Sequence, residues 1–258
     1  MKRTIETIQS MKPAGEKVVA LTAYDYPTTR ILNQAEVDII LVGDTLGMVV
    51  LGYESTTSVT MDDIVHHTRA VARGNRTCLL VADLPYRSYT SIDLAIANAQ
   101  RLFEAGAEAV KLEGCHPEIT QALVEHNLPV MGHVGLLPQT ADRFRVHGRR
   151  TKEAQEIFDQ AERLEEAGCF ALVLESVIRL LAAEITNSLA IPTIGIGAGV
   201  DCDGQILVLH DMLGLFDRFT PTFVKRYADL GKVISRAATT YRLEVQQGLF
   251  PHPDHTYK

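Results

Sequence analysis

Short apolar runs recur along this chain, many bounded by Gly or Pro and most separated by stretches long enough for a helix. Eight of them read as strands: residues 18–23, 38–42, 78–82, 109–112, 129–132, 171–174, 193–196 and 206–209. Between them the polar-apolar spacing predicts helices, among them 91–104, capped by Thr90 or Ser91 and ended at Gly106, and 152–167, ended at Gly168. A further short helix is expected near residues 4–11. Strands alternating with helices predict a parallel sheet.

A weak internal repeat sharpens this picture. Leu102-Phe103-Glu104-Ala105-Gly106-Ala107 leads into Val110-Lys111-Leu112-Glu113, and Leu164-Glu165-Glu166-Ala167-Gly168-Cys169 leads into Val173-Leu174-Glu175. Each unit is helix, glycine cap, apolar strand and terminal Glu. A third copy, Leu32-Asn33-Gln34-Ala35-Glu36 followed by Ile39-Ile40-Leu41-Val42-Gly43-Asp44, ends in Asp. Equivalent ends on repeated units favour an α/β fold of the closed (β/α)8 TIM-barrel type, with a doubly wound open sheet as the alternative.

Length and composition fit one such domain over residues 1–258, with a solvated tail near 250–258. With 46% hydrophobic and 22% charged residues the chain can bury a full core. A formal charge of −7 and no Lys/Arg stripe work against nucleic acid. No apolar stretch approaches the ~18 residues of a membrane span, so a cytoplasmic protein is expected. Cys78, Cys115, Cys169 and Cys202 are scattered without a C-x-x-C pair and read as reduced thiols.

The chemistry collects at the strand ends. Strand side chains alternate, so Lys111 and Glu113 face one way while Val110 and Leu112 face the other. In a barrel the apolar face meets the helices, which sends Lys111 and Glu113 into the interior at the C-terminal end of the strands. The same alternation pairs Val173 with Glu175, Met131 with His133, Val81 with Asp83 and Val42 with Asp44. Each of these has a bland reading as a strand-end cap or half of a surface pair. Four carboxylates at equivalent ends are another matter, because Lys111 alone cannot neutralise Asp44, Asp83, Glu113 and Glu175 in a buried setting. A cation is implied, and oxygen ligands without Cys favour Mg2+ over Zn2+.

His133 shares the strand-end position and is a candidate substrate contact, with a hydrogen-bonded core histidine as the competing reading. The run Gly195-Ile196-Gly197-Ala198-Gly199 misses the dinucleotide fingerprint in either register. It reads as an anion-binding turn or simply a tight one. No P-loop, G-x-S-x-G or H-E-x-x-H motif occurs.

Read as strings, the strand ends form a set: Leu21-Thr22-Ala23-Tyr24-Asp25-Tyr26, Val42-Gly43-Asp44-Thr45-Leu46-Gly47-Met48, Ala82-Asp83-Leu84-Pro85, Val110-Lys111-Leu112-Glu113-Gly114, Gly132-His133-Val134-Gly135-Leu136, and Ile194 to Gly199 with Asp203-Gly204-Gln205-Ile206-Leu207-Val208. From about residue 4 to about 255 the chain resembles the ketopantoate hydroxymethyltransferases. The resemblance implies a barrel of the phosphoenolpyruvate/pyruvate superfamily that moves a hydroxymethyl group from 5,10-methylenetetrahydrofolate to 3-methyl-2-oxobutanoate, giving 2-dehydropantoate for pantothenate synthesis. It also implies Mg2+, the cytoplasm and a homodecamer. Carried over by position, Asp44, Asp83 and Glu113 match the metal site, Asp44, Thr45, Asp83 and Lys111 the keto-acid contacts, and Glu175 the proton acceptor.

Three departures from the family pattern stand out. Thr45 replaces the usual Ser, keeping the hydroxyl. Phe144-Arg145-Val146-His147-Gly148-Arg149 shortens the usual Gly-Gly-Tyr-Lys-Val-Gln-Gly-Arg, and Ile178 stands where Pro is common. The last two bear on the lid and on folate contacts. Rival readings are a related Mg2+-dependent oxo-acid lyase or mutase, and an inactive barrel serving as a binding or assembly subunit, which predicts loss of ring residues that are all present here.

Overall fold

The computed structural model describes residues 2–141 and 145–257. By internal contacts the chain divides into two compact units, Met1–Val208 and Leu209–Lys258. The first carries α1 (Ile5–Ala14), β1 (Val18–Thr22), α2 (Tyr26–Gln34), β2 (Ile39–Val42), α3 (Leu46–Val49), α4 (Met61–Gly74), β3 (Leu79–Asp83), α5 (Ile92–Glu104), β4 (Ala109–Lys111), α6 (Pro117–Glu125), β5 (Val130–Gly135), α7 (Thr151–Glu166), β6 (Ala171–Glu175), α8 (Arg179–Ser188), β7 (Thr193–Ile196) and β8 (Gly204–Leu207). The second carries α9 (Leu209–Met212) and α10 (Leu230–Gln246), and no residue of α10 is buried. Among the described residues no helix is long and apolar enough to cross a membrane.

The eight strands form a closed parallel barrel in sequence order, with β8 pairing back to β1. All eight expected strands are present. The α5 N-cap is Ser91, whose hydroxyl accepts from the Leu94 N–H, and left-handed Gly106 and Gly168 follow α5 and α7. The helix-strand alternation fails once. Between β7 and β8 lie only residues 197–203, with no helix. Seven residues in extended form reach ~23 Å, more than enough to return along a four-residue strand.

Inside the barrel the alternating positions stack into one apolar core. Val18, Ala20, Ile39, Leu41, Leu79, Val81, Ala109, Met131, Ala171, Val173, Ile194 and Ile206 point inward, and Ile8 and Met11 of α1 join them. Because Arg3 N–H donates to Thr77 O, and Lys12 Nζ to Ile191 O, α1 lies across the N-terminal ends of the strands and plugs them. Two residues further along several strands the inward positions turn polar, which places charge at the opposite mouth. Glycine permits the closest approaches there. A Cβ at Gly135 (φ +96°) would lie 2.3 Å from Glu175 O, where β5 and β6 run side by side.

The plug gives the fold its first test. Ile8 is fully buried, so Ile8→Ala should cost about 2–5 kcal/mol in urea denaturation. A loss under about 1 kcal/mol would mean that the barrel floor does not depend on α1.

Candidate active site

A cavity of about 50 Å³ opens at the C-terminal mouth of the barrel, lined by Asp44, Thr45, Asp83, Lys111, Glu113, His133 and Glu175 among others. At ~10–15 Å³ per water it holds a handful of waters or a small acid. All the residues singled out by the strand-end pattern therefore meet in one place. Asp44, Asp83, Lys111, Glu113 and His133 are all buried, each at most 5% exposed.

Alternation accounts for most of this. Asp83 follows inward Val81, Lys111 and Glu113 follow Ala109, His133 follows Met131, and Glu175 follows Val173. It does not account for Asp44. The expectation that Asp44 shares a face with Val42 is wrong, because Leu41 and Gly43 are the cavity-lining residues of β2 and its end. Asp44 reaches the cavity because the chain turns after Gly43 into α3, with Thr45 already helical at φ −54° and ψ −18°. Gly43 leaves room for that turn, since a Cβ there would sit 3.3 Å from both Asp83 Oδ2 and Thr45 Oγ1.

The carboxylates are held by specific donors. Lys111 Nζ donates to Asp83 Oδ1 at 2.7 Å, and the Asp44 N–H donates to Asp83 Oδ2 at 2.9 Å. Gln139, in the turn beyond β5, donates its N–H to Glu113 Oε2 and its side-chain amide to Asp44 Oδ2. The hydroxyls of Tyr24 and Thr45 share a hydrogen bond of 2.9 Å, so the threonine keeps its hydroxyl oriented. His133 Nε2 approaches Glu175 Oε2 at 3.3 Å and its Nδ1 lies 3.9 Å from Glu113 Oε1. The second is too long for a hydrogen bond and the first does not meet hydrogen-bond geometry.

Gln139, Tyr24 and Tyr89, whose hydroxyl donates to Gln139 Oε1, were not foreseen from the sequence. Gln139 lies in a loop, where no periodicity reports which way a side chain points, and its importance emerges only from its partners. Two other expectations and one further histidine resolve structurally. The glycine run folds as a tight turn, with Gly197 and Gly199 at φ +66° and +91° and Gly199 O accepting from Gln205. His67 Nδ1 donates to Tyr24 O as a packing contact. In the shortened segment, His147 bridges Val177 beside β6, while Phe144 lies outside the described residues.

Electrostatics follow from four carboxylates facing one ammonium. Burial, together with the Asp83 charge, pushes Asp44 up to about 7. Glu113 is raised well above the ordinary carboxylate range by burial and by Asp44. Burial alone would depress Lys111, but Asp83, Glu113 and Asp44 outweigh it and keep the ammonium charged. Burial lowers the His133 imidazole despite the pull of Glu175, leaving it neutral near pH 7. Among the described residues no three acidic, His or Cys side chains converge tightly enough to hold an ion unaided. The donors instead fit a hard divalent cation taken by one or two carboxylates, with waters and ligand oxygens filling its shell. Such an ion would relieve the repulsion that raises Asp44 and Glu113.

The family model described as ketopantoate hydroxymethyltransferase matches residues 2–253. The chain is 54% identical to the 3-methyl-2-oxobutanoate hydroxymethyltransferase of Moorella thermoacetica, over 99% of this chain and 97% of that one. It is 52% identical to the protein of the same name from Syntrophus aciditrophicus, again over 99% and 97%. Among solved structures, a phosphonopyruvate hydrolase complexed with oxalate and Mg2+ has a TM-score of 0.66 at 13% identity, covering 100% of this chain and 92% of that one. A 2,3-dimethylmalate lyase of the PEP mutase/isocitrate lyase superfamily has a TM-score of 0.62 at 12% identity, over 100% and 93%. At such identities the structural likeness speaks for the fold.

The raised carboxyls give a signed pH dependence. Asp44 moves from 3.8 to about 7 on folding, so its contribution to stability is full below pH ~4 and is lost as pH rises through ~7. Metal-free protein should therefore lose stability relative to Asp44→Asn across that window, read by denaturant titration at each pH. Parallel profiles would show that the acidic pair is not strained.

Proposed function

The chain belongs to the ketopantoate hydroxymethyltransferase family, and from that premise we propose that its barrel mouth transfers a hydroxymethyl group from 5,10-methylenetetrahydrofolate to 3-methyl-2-oxobutanoate, forming 2-dehydropantoate for pantothenate synthesis. The observation that carries this reading is the separation of Glu175 from the other acids. Asp44, Asp83 and Glu113 cluster with Lys111 and Gln139, whereas Glu175 sits on β6 beside neutral His133, its side chain 16% exposed.

The residues divide the work accordingly. Asp44, Thr45, Asp83 and Lys111 bind the keto acid, with the Lys111 ammonium offsetting the substrate's negative charge. Asp44, Asp83 and Glu113 would hold Mg2+, directly or through water, and an ion held there would supply a Lewis acid that favours loss of the proton at C3 of the 2-oxo acid. Glu175 takes the proton from C3, and the electron pair left on that carbon attacks the folate-borne one-carbon unit, whose bonds to nitrogen break to release tetrahydrofolate while one water supplies the oxygen of the hydroxymethyl group. His133 packs against Glu175 and contacts substrate. Burial of the site strengthens each of these interactions.

Self-association into a homodecamer belongs to the same reading. Exposed Val233, Ile234, Tyr241, Leu243 and Val245 on α10 support it, since apolar surface of this kind marks contact faces. Light scattering should then report ten chain masses. The cytoplasm is the compartment this pathway step implies.

The decisive assay supplies 3-methyl-2-oxobutanoate and methylenetetrahydrofolate with and without Mg2+. Product is expected only with the ion, and no 2-dehydropantoate under any condition would overturn the assignment. Glu175→Gln should slow exchange of the C3 proton with D2O, followed by NMR, by about 10²–10⁴-fold. Exchange at the normal rate would remove Glu175 as the base.

A further inference from the structure

Gln139 is 2% exposed, and each polar group of its side chain has a partner. Its Nε2 donates to Asp44 Oδ2 at 2.8 Å and to Leu84 O at 3.1 Å, while its Oε1 accepts from the Tyr89 hydroxyl at 2.5 Å. Its backbone N–H donates to Glu113 Oε2 at 2.9 Å. One residue beyond β5 is thereby tied to the ends of β2, β3 and β4. The amide can face only one way, because a carboxylate and a carbonyl on one side both require the NH2 group.

Two features separate this arrangement from ordinary loop packing. The turn that carries Gln139 is already closed by the Thr140 and Ala141 N–H groups donating to Leu137 O, without the side chain. Moreover, the side-chain amide bonds Asp44 while the backbone N–H bonds Glu113, so one residue holds two of the three acids read as cation ligands. A neutral donor suits that position. It orients a carboxylate without cancelling the negative charge that attracts a cation, whereas a lysine would compete with the cation directly. Tyr89, whose hydroxyl also lies 3.3 Å from Glu113 O, holds the amide from behind.

We propose that Gln139 is a positioning residue for the divalent cation, fixing the orientations of Asp44 and Glu113 and so setting the affinity of the site. The inference rests on the reading of those carboxylates as cation ligands. Groups that orient metal ligands typically change affinity 10–100-fold when removed.

The test is Mn2+ titration of the metal-free full chain, followed by electron paramagnetic resonance, with thermal unfolding measured in parallel. Gln139→Met keeps the shape and removes the donors. It should weaken Mn2+ binding at least tenfold, and Tyr89→Phe, which leaves the packing in place, should weaken it less. If Gln139→Met fails to fold, Tyr89→Phe alone carries the test. Wild-type affinity in the variants, with or without a loss of stability, would reduce Gln139 to a structural residue and overturn the proposal. A wild-type chain that binds no Mn2+ would instead overturn the cation reading on which it stands.

Discussion

Four carboxylates and one ammonium share the mouth of this barrel, and most of them are buried. Charge of that density is unfavourable in a protein interior unless something compensates it. Lys111 compensates Asp83 through a direct bond, and Gln139 gives one hydrogen bond each to Asp44 and Glu113. The remainder appears as raised pKa values for Asp44 and Glu113. The site is thus held in a state that a divalent cation would relax, and binding one would release protons.

The barrel makes such a site sustainable because its apolar strength lies elsewhere. The inward columns begin with Val, Ile, Leu, Ala or Met near the α1 plug, and those of β1, β3, β4, β5 and β6 turn polar only at their far ends. Closure of β8 onto β1 leaves no strand edge for slippage, so the columns keep their register. A shift of one residue would send Lys111 and Glu113 outward among the helices and bring Val110 and Leu112 into the mouth.

That same periodicity governed how much could be read in advance. All eight strands were legible because buried strands are runs of apolar residues. Their ends were less so. β5 continues to Gly135 because pairing with β6 persists past the apolar run, and β8 begins at Gly204, a residue invisible to hydropathy. The missing helix between β7 and β8 is a matter of chain reach, which periodicity does not measure. Within the site, Asp83, Lys111, Glu113, His133 and Glu175 were legible from alternation. Asp44 was found by equivalence of strand ends although the strand-face argument for it fails. Gln139 was not legible at all, since its partners lie 26 to 95 residues away in the chain.

On the proposed chemistry the four acids must do two incompatible things. Ion ligands share one centre, while a base must keep a lone pair for a carbon-bound proton and stay clear of that centre. The strand order achieves this separation: Asp44, Asp83 and Glu113 come from the ends of β2, β3 and β4, Glu175 from β6, and β5 supplies His133 between them. A cation in place of His133 would draw Glu113 and Glu175 into one ion-pair network. An acid there would add to the repulsion. Neutral imidazole does neither, and its burial is what keeps it neutral, so the placement of one unprotonated ring between two carboxylates preserves the division of labour.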